Sequence, residues 1–170
     1  MFWVNQKYWQ ASGVPLALFG VLLAVYSLIF GFAGKAAAPG TARFGQRPLL
    51  AAAGVLPIIA CFGMASFLGW GGILLGTLGQ VGRGLGSVLF LEALNDRISS
   101  AFRATVISLS QLGVRASFCL LGPLVGYGID AWGLPSVLSA LGILFSIAFV
   151  CLLLPLIIRE TARTMKEASA

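Results

Sequence analysis

The run GGILLGTLGQVGRGLGSVLFL, from Gly71 to Leu91, decides the fold. Arg83 is its one ionisable side chain. A helix needs about 20 mostly apolar residues to cross the hydrocarbon core of a bilayer. A membrane barrel strand instead alternates apolar and polar side chains over about ten residues. Here the apolar character is continuous over twice that length, which selects a helix. Wound at about 3.6 residues per turn, Gly72, Gly76, Gly79 and Arg83 fall on one stripe, with Gln80 beside it. Leu74, Leu78, Val81, Leu85 and Val88 cover the opposite side. Small residues let a neighbouring backbone come close, so the stripe is expected to pack and the leucine side to face lipid. Arg83 is then expected to point into a bundle.

Four more runs of the same kind flank this one: Ala11 to Phe32, Leu49 to Leu68, Ala104 to Gly126 and Leu134 to Ile157. The 170 residues are 59% hydrophobic and only 9% charged. A soluble domain carries about a quarter charged residues, so this chain cannot cover a water-facing surface. The expected fold is all-α, a polytopic transmembrane helix bundle with five spans. Residues 1–10 form an outer segment, 11–158 the membrane part and 159–170 a tail.

Charge distribution sets the expected orientation. Lys35, Arg43 and Arg47 follow the first span, Arg97 and Arg103 the third, and Arg159, Arg163 and Lys166 the fifth. These eight residues share one side, against Lys7 alone on the other. Basic residues mark the cytoplasmic side, which puts the N-terminus outside and the C-terminus inside, in the cytoplasmic (inner) membrane of the cell. Trp3, Trp9, Trp70 and Trp132, with Tyr8 and Tyr127, fall at the outer ends, as an interfacial aromatic belt requires. The net charge of +6 is therefore a topology signal. No nucleic-acid partner is expected; the lipid bilayer is. Ala36-Ala37-Ala38 resembles a signal-peptide cleavage site, but the run before it is too long and basic residues follow it, so a retained span is expected.

The chain has no histidine. That removes a histidine base, a Ser-His-Asp triad and every histidine-ligated metal or haem. Five acids (Glu92, Asp96, Asp130, Glu160 and Glu167) leave little for paired-carboxylate catalysis. Cys61, Cys119 and Cys151 lie inside apolar runs without metal spacing and are expected to pack as small hydrophobes. No enzyme activity, cofactor or metal is expected.

Ionisable residues inside spans are costly and mark function by default. Besides Arg83 there is Arg115, sharing a helical face with Ala104, Ser108, Gln111 and Gly122, opposite Val106, Leu109, Leu120 and Leu124. Arg115 is expected to point inward too. No acid of the five spans lies at matching depth. Pro57 and Pro123 can kink their helices. On the basic side, Asp96 and Arg103 stand close enough in sequence to pair.

Taken together, these pieces resemble the C-terminal half of a major facilitator superfamily transporter. Arg43-Phe44-Gly45-Gln46-Arg47 is similar to the end of that family's cytoplasmic loop motif. It lacks the family's Asp, and Gln46 stands where a closing basic residue belongs. The segment from Leu94 through Asn95-Asp96-Arg97 to Arg103-Ala104-Thr105 resembles the link between the tenth and eleventh helices. Gly122-Pro123-Leu124-Val125-Gly126, followed by Gly128, Asp130 and Gly133, is similar to the end of the eleventh. Asn5-Gln6 through Gly13-Val14-Pro15 to Phe19-Gly20 resembles the junction of the seventh and eighth. The resemblance covers nearly the whole chain and makes its spans helices eight to twelve, with residues 1–10 the outer end of the seventh.

It implies a secondary transporter moving a small solute by alternating access, completed by an N-terminal six-helix half. Gln80, Arg83, Ser108, Gln111 and Arg115 would form the inward polar face. Arg83 or Arg115 would attract an anionic solute or hold an acid of the other half. Arg43, Gly45, Arg47, Asp96, Arg97 and Arg103 would form the cytoplasmic gate. Gly72, Gly76, Gly79, Gly122 and Pro123 would pack helices. The alternative is a fragment or membrane subunit without transport activity, oligomerising through its glycine faces.

Overall fold

The structure is a computed structural model that describes residues 2–98, 100–155 and 157, and their side chains except at 2, 3, 96, 97, 100 and 101. Six α-helices follow in order: α1 (Phe2–Ala11), α2 (Leu16–Phe44), α3 (Gln46–Ser66), α4 (Trp70–Arg97), α5 (Ser100–Trp132) and α6 (Leu134–Ala148). A π-helical turn, Phe149–Leu153, continues α6. Among the described residues every regular element is helical. Five of the helices are long and apolar enough to cross a membrane. The chain is an all-α, polytopic transmembrane bundle.

The helices overrun the apolar runs. α2 has 29 residues, about 44 Å at 1.5 Å per residue, against a hydrocarbon core of about 30 Å. It passes through Pro39 and carries Lys35 and Arg43 within it. The basic connection expected after the first span is thus mostly helix. Gly45 alone joins α2 to α3, at φ +84°, where a side chain would be strained. Its N–H donates to the Thr41 carbonyl at 2.9 Å.

α4 is the central helix. It packs along α3 on one edge and α2 on the other, while α6 packs on α3. On one edge Gly79 faces Ala60, Gly82 faces Pro57 and Gly86 faces Ala53, all of α3. On the other, Gly84 meets Phe30, Ala33 and Gly34 of α2, and Val88 reaches Gly34. Pro57 cannot donate to Ala53, and the Gly82 backbone lies against that freed carbonyl. The glycine stripe is therefore filled from within the chain: Gly72 lies beneath Tyr8, and Gly76 between Tyr26 and Met64. This departs from a subunit that oligomerises through the α4 glycines.

α5 is the outlier. It packs mainly on α6, and no residue of its most apolar stretch is buried. Residues 111–120 are all exposed.

At the tryptophan-bearing end, α1 closes the bundle. Tyr8, Trp9, Val14, Tyr26, Met64, Ile73, Leu134 and Leu138 form one buried cluster. Trp9 meets Phe19 and Tyr26 edge-on, at 5.5 and 5.3 Å between centroids. The Tyr8 hydroxyl donates to the Phe67 carbonyl, and that of Tyr26 to the Ile73 carbonyl at 2.6 Å. A buried phenol needs such a partner. These two residues correct the aromatic-belt expectation: Tyr8 and Trp9 are core, whereas Trp70, Trp132 and Tyr127 are 62–71% exposed. Position along a helix fixes the depth of Trp9, but the fold of α1 against α2 fixes its direction. The side chain of Trp3 lies outside the described residues. The cysteines divide likewise. Cys61 is buried, whereas Cys119 and Cys151 are exposed and do not pack inside the chain as expected.

Candidate functional site

The polar groups of α4 gather at mid-length. Arg83 is thirteen residues beyond Trp70 and fourteen before Arg97, about 20 Å from either helix end. It stands between the edge that meets α3 and the edge that meets α2. Helical side chains lean toward the N-terminal end of their own helix. Arg83 accordingly reaches back one turn, and its Nη1 donates to Gln80 Oε1 at 2.8 Å. Its guanidinium lies over the Phe30 ring of α2, 5.4 Å from the centroid, within cation–π range. Gln80 is 4% exposed, so this acceptor is fixed by packing. Arg83 itself remains exposed at the edge of the packed face.

Above this pair, toward the tryptophan-bearing end, lies a cavity of about 20 Å³, lined by Asn5 of α1, Cys61 and Met64 of α3, and Gly76 and Gln80 of α4, among others. Asn5 is buried at 7% exposure. The sequence pattern does not single Asn5 out as a site residue, because α1 is too short to register as a span. The one signal it carries is an amide one helical turn before the aromatic pair Tyr8 and Trp9 on a short helix.

The α5 residues are separate. Ser108, Gln111 and Arg115 are exposed, and α5 lies against α6 rather than α4. Within this chain they do not join Gln80 and Arg83, and the inward direction expected of Arg115 is not met. The nearest atoms to a Cβ placed on Gly122 belong to Phe118 of the same helix, at 3.7 Å. Pro123 is exposed. Among the described residues, the atoms nearest Gly122 come from its own helix rather than from a neighbouring one.

On the basic side, Arg43 occupies the last turn of α2 with its guanidinium 5.4 Å from the Phe44 ring. Arg47 is the second residue of α3. The segment resembling a loop motif is therefore two helix ends meeting at Gly45. Arg103 donates from Nη2 to the Asn95 carbonyl at 3.3 Å, which ties the start of α5 to the end of α4. The side chains of Asp96 and Arg97 lie outside the described residues, as does any Asp96–Arg103 pair. The tail residues Arg159, Arg163 and Lys166 lie outside them too.

Chemically, this arrangement presents a held cation halfway along an apolar helix, together with a second polar row that the chain leaves uncovered. No protein-family model matches the chain, and neither the curated proteins nor the solved structures yield a match.

Proposed function

We propose that the chain is one side of a secondary transporter of the major facilitator type. It moves a small solute by alternating access against a second set of helices, the N-terminal half of that fold. The observation that carries this reading is the Gln80–Arg83 pair at mid-depth in α4, where a bare structural helix gains nothing from a charge. A second feature supports it: Ser108, Gln111 and Arg115 form a polar row on a helix that this chain leaves exposed. In a bilayer such a row calls for water or a polar partner rather than acyl chains.

In this reading Gln80 and Arg83 face the solute route. Ser108, Gln111 and Arg115 face the companion half across it. Arg43, Gly45, Arg47, Asp96, Arg97 and Arg103 belong to the gate on the cytoplasmic side, and the N-terminus lies outside. No histidine or mid-depth acid is available in these spans to carry a proton, so any coupling proton is carried by the companion half.

Cysteine accessibility tests the proposal. With Cys119 and Cys151 replaced by serine, Ser108→Cys is labelled in cells by a membrane-impermeant thiol reagent applied to each side in turn. Alternating access predicts labelling from both sides. A subunit without a transport route predicts none, and that result would reject the proposal.

A further inference from the structure

We infer that Arg83 is a carboxylate subsite, which takes the acid group of a small organic anion and is set in position by Gln80 and Phe30. The inference rests on the transport reading above and narrows it to a substrate class.

Four observations converge. First, the guanidinium is held. Gln80 Oε1 accepts one of its five N–H donors, and the Phe30 ring centroid lies 5.4 Å from its central carbon, which leaves the other N–H groups for a ligand. A guanidinium fork matches a carboxylate with two parallel hydrogen bonds.

Second, among the described residues no counter-ion stands at this depth. Glu92 is the next acid along α4, nine residues on, about 13 Å away along the axis. Asp130 lies in the last turn of α5, at the tryptophan-bearing end.

Third, there is room. The residues three and four positions away on the same face are Gly79, Gln80, Gly86 and Ser87. Gly79 and Gly86 turn toward Ala60 and Ala53 of α3, Gln80 is the partner, and the Ser87 hydroxyl turns back to the Gly84 carbonyl at 2.8 Å, so the room lies on the open side of α4, where Arg83 and Ser87 are exposed. Arg83 is accordingly exposed although its neighbours Gly82 and Gly84 are buried.

Fourth, the depth excludes a lipid headgroup. The apolar run ends at Leu91, eight residues and about 12 Å further along the axis, and the side chain reaches the other way, toward mid-length Gln80. A solute that diffuses in remains. Phe30 beside the cation suits an organic body better than a fully hydrated inorganic ion.

The probe is para-fluorobenzoate, followed by fluorine NMR line broadening on the purified full chain in phosphatidylcholine nanodiscs. Saturable broadening, reversed by unlabelled benzoate but not by inorganic phosphate, is expected. Arg83→Gln weakens binding about tenfold or more, the scale of losing a charged hydrogen bond. Arg83→Lys keeps the charge and the insertion but not the fork, and it binds more weakly than arginine. Gln80→Leu frees the guanidinium and also weakens binding, whereas Lys35→Gln, on α2 outside the site, leaves it unchanged.

No broadening, or equal broadening in Arg83→Gln, overturns the subsite. Equal displacement by phosphate overturns the carboxylate assignment, and displacement by added phosphatidylglycerol assigns the site to a headgroup instead. If para-fluorobenzoate binds through Arg83 while Ser108→Cys is not labelled from both sides, the subsite stands and the transport reading falls. If labelling is two-sided while binding does not depend on Arg83, the transport reading stands and the subsite falls.

Discussion

Gly84 makes a close backbone contact with α2, and adding one methyl group there measures it. A Cβ on Gly84 would stand 2.8 Å from Ala33 Cβ and 3.1 Å from the Gly34 nitrogen, and closer still to the Phe30 carbonyl oxygen. Carbon atoms in contact sit at about 3.5–4.0 Å. Backbone and Cβ atoms cannot swing aside, so α2 and α4 must part by about 1 Å. Overpacking of this kind costs about 1–3 kcal/mol. Gly84→Ala also gains about 1 kcal/mol of helix propensity, which would obscure a simple comparison with the parent chain. Gly113 supplies the control: it is also mid-helix, and a Cβ there meets nothing within 4 Å. The propensity gain is common to both variants and cancels. Gly84→Ala should therefore be less stable than Gly113→Ala by about 1–3 kcal/mol, or roughly 5- to 150-fold in the folding equilibrium. Equilibrium unfolding in bicelles by dodecyl sulfate, followed by tryptophan fluorescence, reads the difference. Equal stabilities for the two variants would refute the close approach of α2 and α4.

Three further outcomes follow from other parts of the molecule. Arg115→Leu should make insertion of this span more favourable by about 3–4 kcal/mol on a translocon scale, because the arginine is exposed; glycosylation-based insertion assays read that shift. A reporter enzyme fused after Arg47 should behave as cytoplasmic, and activity on the outer face would reverse the orientation. Burial raises the Tyr8 phenol above its ordinary value of 10.0, with opposing hydrogen bonds from Ser12 and Gly69. The folded state thus holds this proton more tightly than the unfolded state. The stability contributed there is complete below pH 10.0 and is lost as pH rises through the raised value. Tyr8→Phe should remove a late-titrating phenolate step from an alkaline absorbance titration.

The five spans are legible in the sequence because hydrocarbon imposes one demand, a long unbroken apolar run, and that demand is local. Their ends are less so. Ala36-Ala37-Ala38 and Lys35 lower the hydropathy without breaking the helix, so α2 runs on to Phe44. The Gln80–Arg83 bond is foreseeable because three residues is nearly one turn. Phe30 beneath the cation is not, since it lies on another helix and no local pattern announces it. Trp9 and Arg115 depart from expectation in opposite senses. Periodicity places each at its position along a helix, yet the direction each side chain faces depends on which neighbour the helix meets. α1 turns Trp9 into the core, and α5 keeps Arg115 out of it.

The lopsided packing of α5 also sets the order in which the molecule comes apart. Held at its two termini and stretched, the bundle loses early the membrane-length helix with the fewest attachments, so α5 peels from α6 at low load. The α2–α3–α4 trio, interlocked along two glycine edges, yields last and as one cooperative rupture.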